Sequence, residues 1–544
     1  MRGLPLANGT SRRKSRTWPK LAGLLAFLGL IISGILVGAH PGIAGLNFGG
    51  TNVLSESIKL PLACPTQPSA ITPEIPFPVP STSAEKNYYV DKLRGAVRVR
   101  TETFDGGAAW YDKFYALEAY LLEVYPDVLH AVLMAHQDTV PVPPETLERW
   151  THPPFEAHLD AEGWVWGRGA GDCKNLLTAH LSAVSELLAA GFEPTRTVHI
   201  AFGFDEEGGG VRSARYIAAH LEELYGFNSL LLMCGFLPQL FSTLLMKAEA
   251  SSPTTTGVRG LLRPYGHFRQ GEKGSVNVKV TVNVPGGHSS VPPKHTAIGI
   301  LAALVTTVEA NPPPFTLSTK NPFSTFVGCL AEYGTIDAEL KNLLAYEETW
   351  PEAAALMAER DPADGARLST TQAVDIVSGG VKVNALPEAA YAVVNHRVSA
   401  DDSVQGVYDR YVELLTPEVA KFNLSIVPVG ESPPADATRY LQLSSPYGAE
   451  ASPVTSAEGS AWDIFAGTSL HLFPDAIVAP YLSTGGTDTR SYVNLTRAIY
   501  RFQAVRSDER AQIHTVDERV HVNGHLNAIA WVHALIQNAD SFRG

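Results

Sequence analysis

TRTVHIAFGFDEEGGG (195–210) sets a run rich in β-branched and aromatic residues against three adjacent carboxylates and three glycines. The first part predicts a strand buried on both faces, of the kind found in parallel sheets covered by helices. Asp205, Glu206 and Glu207 then stand at the carboxyl end of a core strand, the edge where open α/β sheets bind ligands. Carboxylates this close repel one another, and at least one keeps its proton unless a cation neutralises the group. A solvated acidic loop is the plain alternative for an isolated cluster. The strand before it favours a metal ion or a shared proton.

Outward from this stretch the chain alternates strand and helix. YDKFYALEAYLLEVY (111–125) reads as a helix, HAVLMAH (130–136) as a strand, and NLLTAHLSAVSELLAAG (175–191) as a helix closed by Gly191. Repeated βαβ units predict an α/β fold with a mostly parallel central sheet and helices on both sides. A second set opens with GSVNVKVTVNVPGG (274–287), whose alternation of Val and polar residues marks a half-exposed strand. It continues through a helix at 296–310, two strands around 379–398, a helix at 404–415 and a strand at 422–428. The reading is therefore a first domain over 86–273, an inserted α+β unit over 274–430, and a return to the first domain over 431–544.

The N-terminus predicts a membrane anchor. LAGLLAFLGLIISGILVGA (21–39) carries no charge and is long enough to cross a bilayer as a helix. Basic residues cluster in 1–20 and are absent after the run until Lys59, which keeps the tail in the cytosol and the rest lumenal or extracellular, a type II arrangement. A cleaved signal peptide is the alternative, with AHPGIAG (39–45) as its cleavage site. The Pro-rich stretch within 40–85 reads as a lumenal linker. Asn423 and Asn494 begin glycosylation triplets on the matching side. A net charge of -13 argues against a nucleic-acid partner. The four cysteines, at 64, 173, 234 and 329, have no CxxC spacing and leave room for one disulfide.

Other donors fall at predicted strand ends or helix starts. His136 and Asp138 close one strand, Asp172 sits in the Gly-rich turn of WVWGRGAGDCKNLL (164–177), and His514 precedes a helix in AQIHTVDERV (511–520). Each alone has an ordinary explanation: a solvated His, or an Asp capping a helix. Together with the acidic triplet they form the His, Asp and Glu set that zinc accepts.

AHQDTVPV (135–142), WGRGAGDCK (166–174), GFDEEGGG (203–210), PGGHSSVPP (285–293), GGVKVNALPE (379–388), VNHRV (394–398), GGTDTRSY (485–492) and IHTVDERV (513–520) together resemble the di-zinc aminoacylase and carboxypeptidase family. The resemblance is greatest to fungal vacuolar carboxypeptidase S and to secreted animal relatives acting on N-acyl amino acids. It implies two zinc ions: Asp172 bridging them, Glu207 and His514 on one, His136 on the other. It makes Asp138 the group that orients His136, and Glu206 the general base. The inserted unit becomes a lid that forms homodimers, from which His288 stabilises the oxyanion, while Asn384 and Arg397 hold the substrate's free carboxylate. The implied substrates are short peptides cut at their C-termini, or N-acyl amino acids, and the implied compartment is the vacuole. No GxSxG elbow supports a serine hydrolase, and no phosphate-cradling glycine loop supports a transferase.

One motif is missing. The family places a second carboxylate for the His136 metal in an Asp-Glu-Gly-Gly motif between the Glu-Glu pair and the lid. Between Glu223 and Glu272 this chain has no Asp, and Glu249 is the only acid. Leu245-Met-Lys-Ala-Glu249 can be written CTG ATG AAG GCG GAG, which from the last base of the Leu codon reads GAT GAA GGC GGA, Asp-Glu-Gly-Gly. The hypothesis is that about residues 227–270 translate a retained intron or a shifted frame. The alternatives are replacement of the ligand by Glu249 or His267, or an empty second site and a catalytically inactive, membrane-tethered protein. Sequencing the spliced transcript across this region separates them: a transcript encoding LLMKAEASS as printed removes the frame hypothesis.

Overall fold

The computed structural model describes residues 61–104, 111–127, 134–226, 232–234, 265–334 and 336–541. The tail 1–20, the apolar run 21–39, Glu249 and most of the stretch 227–270 lie outside the described residues. Among the described residues no helix is long and apolar enough to cross a membrane.

The central sheet is mixed. Its strands are β1 (Met134–His136), β2 (Ala201–Gly203), β3 (Leu232–Cys234), β4 (Tyr265–Glu272), then β10 (Ile477–Ser483) and β11 (Ile499–Arg501), in spatial order β10-β4-β11-β3-β1-β2. The pairs β1/β2, β1/β3, β3/β11 and β4/β10 are parallel, and β4 meets β11 antiparallel through Arg269 and Arg501. His136 lies level with Gly203, so β1 and β2 deliver their following residues to the same sheet edge. In one respect the sequence reading is corrected: β2 is short and ends the sheet on one side, with Val198 to Ile200 half-buried outside the ladder. Its β-branched run reflects packing under a helix, not burial between two strands.

Helices cover both faces, as the alternation predicts. Helices Lys174–Ala189, Ser460–Leu472 and Val522–Ser541 join Ser83–Arg98 around one core with Trp462, Phe465 and Trp531 at its centre. The opposite face receives Ala214–Tyr225 against Met134, Ala201 and Ile499, and helix Pro322–Tyr333 against Ile477, Ala479 and Tyr481 of β10. Starts are fixed by side chains: Thr82 and Glu85 form a capping box, and Asn321 caps a helix that opens on Pro322. A disulfide joins Cys64 to Cys329, tying the segment that enters the body to helix Pro322–Tyr333.

The second sheet has β5 (Gly274–Asn283), β6 (Ala373–Gly379), β7 (Ala389–Val398), β8 (Ser425–Val427) and β9 (Tyr440–Ser444) in spatial order β8-β9-β5-β7-β6, with the short strand Gly448–Ala449 also paired to β5. On β5 the alternation does what it predicts. Val276, Val278, Val280 and Val282 are buried against Leu301, Leu304 and Val308 of helix Ala297–Ala310 and against Tyr411 and Leu415 of helix Val404–Ala420. The strand expected near GGVKV lies earlier: β6 ends at Gly379 and the chain turns at Gly380, φ 79°. Strand β9, beyond residue 430, also pairs with β5, whereas helix Pro322–Tyr333 packs on the central sheet.

Candidate active site

The central sheet's edge gathers the expected donors around Asp172. One carboxylate oxygen, Oδ1, lies 3.0 Å from His136 Nε2, and the other, Oδ2, lies 3.0 Å from His514 Nε2. His514 Nε2 is also 3.1 Å from Glu207 Oε1. His136 Nδ1 lies 2.9 Å from the carbonyl oxygen of Asp138. A carbonyl only accepts, so Nδ1 carries a proton; in the chain by itself Nε2 donates a second one to Asp172, and the same nitrogen would turn its lone pair to a bound cation. Asp172, Glu207 and His514 offer donor atoms within 4.8 Å of one another, and so do His136, Glu206 and Glu207.

Asp138 meets His136 Nδ1 with its main-chain carbonyl at 2.9 Å and with its carboxylate Oδ1 at 3.4 Å, and that carboxylate has a second task. It is fully buried and accepts the backbone N–H groups of Glu206 and Glu207, each at 3.1 Å. It thereby fixes the loop that presents both glutamates. Asp205, for which the sequence offers no role, closes the same loop. Its carboxylate accepts the Arg212 N–H at 2.7 Å and the Ser213 hydroxyl, and its carbonyl accepts Gly210 N–H at 2.7 Å. The triplet therefore has three separate tasks: Asp205 shapes the turn, Glu206 is held beside the donors, and Glu207 joins them.

Asp488 is a further buried acid of this edge. An added Cβ on Gly203 or Gly210 would stand 2.4 or 2.1 Å from its carboxylate oxygens, so both glycines exist to make room for it. Burial pushes its carboxyl up to about 7, with Asp138 and Asp205 adding to the rise and His136 opposing it.

The electrostatics describe a cluster short of positive charge. Burial raises Glu206 well above the ordinary carboxylate range, Glu207 and Asp488 adding to it, and burial also raises Glu207 against the opposing bond from His514. Burial works against ionised Asp172 too, but the bonds from His136 and His514 outweigh it and hold this carboxyl low. His514 rises to about 10, its bonds to Asp172 and Glu207 overcoming the cost of burial. Protons on the histidines and glutamates thus balance the acids in the chain by itself. A divalent cation at this place does the same with oxygen and imidazole donors already converged, so the residues fit zinc.

His288, Asn384 and Arg397 lie on the second sheet and its connections. His288, on a short strand Gly287–His288 paired with Ala385–Leu386, is exposed and shares a 2.7 Å hydrogen bond with the Ser290 hydroxyl. Asn384 is exposed on the adjoining turn, its carbonyl accepting Ser289 N–H. Arg397 is half-buried at the end of β7, where burial, with Arg490 nearby, lowers the pKa of its guanidinium. Among the described residues no hydrogen bond or ion pair joins these three to the donor cluster.

Residues 132–538 match peptidase family M20/M25/M40. Carboxypeptidase S of Saccharomyces cerevisiae is 33% identical over 518 residues, covering 84% of this chain and 85% of the relative. The human N-fatty-acyl-amino acid synthase/hydrolase is 29% identical, covering 83% of this chain and 88% of its own. The crystal structure of an M20 family metallo-carboxypeptidase from Sulfolobus solfataricus shares the fold, with a TM-score of 0.54 at 16% identity over 84% of this chain and 99% of that one. With the donor cluster at the edge of its α/β sheet, the chain belongs to peptidase family M20/M25/M40 and is a metallopeptidase.

Proposed function

We propose that this protein is a zinc carboxypeptidase that releases C-terminal residues from short peptides. The observation that carries the reading is the position of Asp172, with one oxygen toward His136 and the other toward His514 and Glu207. Two ions would be held by Asp172 together with Glu207 and His514 on one side and His136 on the other. Bound zinc supplies Lewis acidity toward the scissile carbonyl and a water molecule. Glu206, buried and raised in pKa beside the donors, takes a proton from the attacking water and passes it to the leaving amine. Arg397 and Asn384 hold the peptide's terminal carboxylate, the forked guanidinium matching its two oxygens. His288 points to a partner copy: it is exposed on the lid, and the lid's outer strand β6 exposes Ile376 and Val377. A homodimer through the lid accounts for both, and light scattering reads it directly.

The deciding experiment is Glu206→Gln. We expect kcat to fall at least ~100-fold while zinc content stays at the wild-type value; a variant with wild-type rates removes the assignment. The second reading is hydrolysis of N-acyl amino acids, supported by the relative that carries that activity in its name. Comparing a blocked dipeptide with a fatty-acyl amino acid as substrates separates the two. Because no acid but Glu249 lies between Glu223 and Glu272, the chain as written supplies the His136 ion poorly. An inactive, tethered family member is the outcome if neither substrate is cut. We place the body on the lumenal side of the vacuolar membrane, anchored by residues 21–39; protease protection in isolated vacuoles tests that placement.

A further inference from the structure

Asp172 hangs from a loop, and one carboxylate outside the donor set holds that loop. Glu518 is fully buried, four residues after His514. Its Oε1 accepts three backbone N–H groups, from Gly169 at 3.1 Å, Gly171 at 2.9 Å and Asp172 itself at 3.0 Å. Its Oε2 pairs with the guanidinium of Arg168, also buried, and its own carbonyl accepts Gly167 N–H at 2.9 Å. Every contact runs from the 512–518 turn to the 167–172 turn. Residues 164–166 and 519–521 are paired strands, so the two turns leave one small sheet side by side.

The arrangement has a specific geometric effect. His514 and Asp517 sit at φ 60° and 67°, conformations that favour glycine, so the 512–518 turn needs outside support to keep its shape. A carboxylate receiving three amide N–H groups and a guanidinium is an anion in a closed nest, and such charge-assisted bonds are the strong ones. The nest ties the backbone around Asp172 to Glu518 at both its side chain and its carbonyl. Gly171 belongs to it for steric reasons too, since a Cβ there would lie 2.3 Å from Ile513.

We propose that Glu518 is a positioning residue for the metal centre, locking the loop of Asp172 to the loop of His514 so that the two can share an ion. The inference rests on the zinc reading above but concerns a residue that touches neither metal nor substrate. Groups that hold metal ligands in place commonly change metal affinity 10–100-fold when altered. Glu518→Gln keeps the shape and removes the charge, putting an amide NH2 against either Arg168 or the loop N–H groups. Glu518→Asp keeps the charge and withdraws it by one methylene.

The test uses the full chain and zinc alone, with affinity measured by competition against a chelating dye and apoprotein stability measured in parallel. We expect both variants to bind zinc at least 10-fold more weakly while their apoprotein melting temperatures stay within a few degrees of wild type. Hydrolysis lost at limiting zinc should return when zinc is raised, which a general folding defect does not allow. Should the Gln variant fail to fold, the Asp variant alone decides. Zinc affinity within threefold of wild type in a folded variant overturns the proposal. Failure of wild type itself to bind zinc instead removes the functional reading, so the two failures are distinct.

Discussion

At the scale of single residues, the donors were legible because their types and positions are unusual together, and Asp138 was legible as the partner of His136, whereas the backbone groups that Asp138 and Glu518 hold were not. Asp138 and Glu518 work through backbone N–H groups 68 to 69 and 346 to 349 positions away, and no local pattern marks such a partner. The same holds for buried histidines. His180, read only as part of a helix, is fully buried with no hydrogen-bond partner on either ring nitrogen, and burial pushes it down to about 3. His396 and His525 are pushed down to about 4 by burial as well. The sign follows from linkage: a histidine lowered on folding is neutral in the native protein and binds a proton more readily when unfolded. Its contribution is complete above the ordinary value of 6.5 and is lost as pH falls toward 4. Stability should therefore drop across that window in thermal melts. His180→Leu should flatten the drop, leaving stability at pH 8 within about 1 kcal/mol of wild type or improving it, because an unpartnered polar ring leaves the core. An unchanged acid slope removes His180 as a contributor.

Among the elements, the long helices and the Val-rich strand β5 were readable because one face is buried and the other is not, so sequence period and burial coincide. Strand β2 misled for the opposite reason: Ile200 and Phe202 pack beneath a helix, and their hydrophobicity does not distinguish an edge strand from a central one. GGVKV failed as a strand because Gly380 turns the chain, leaving Val381 and Val383 almost entirely exposed. Glycine chemistry also sets a prediction at this scale. Gly191 and Gly210 both have positive φ, 75° and 66°, but a Cβ on Gly191 meets nothing within 4 Å, whereas on Gly210 it meets Asp488 at 2.1 Å. Gly191→Ala should cost about 1 kcal/mol for backbone strain alone. Gly210→Ala should cost about 2–4 kcal/mol, since overpacking adds to the same strain. It should also lower activity by displacing the loop of Glu206. Equal costs in denaturant unfolding of the two variants contradict a load-transmitting contact at Asp488.

For the molecule as a whole, the order of segments makes the two sheets interdependent. The chain leaves the central sheet at β4, enters the second sheet at β5 after one residue, and returns only through β10. Strand β4 and helix Pro322–Tyr333 both pack on β10, so the return strand is held from two sides. The Cys64–Cys329 bond adds a covalent link between the entering segment and that helix. Replacing both cysteines by serine should lower stability by about 2–5 kcal/mol, measured by denaturant unfolding, and an unchanged midpoint contradicts this. The bond also bears on geography. Thiols stay reduced in cytosol and nucleus, and a structural disulfide persists where oxidising enzymes operate. The bond therefore predicts a chain that matures along the secretory route. Blocking thiols in intact cells before lysis reads that history directly: a linked pair escapes the label, and the redox state of two sulfur atoms serves as a passport stamp for the protein's itinerary.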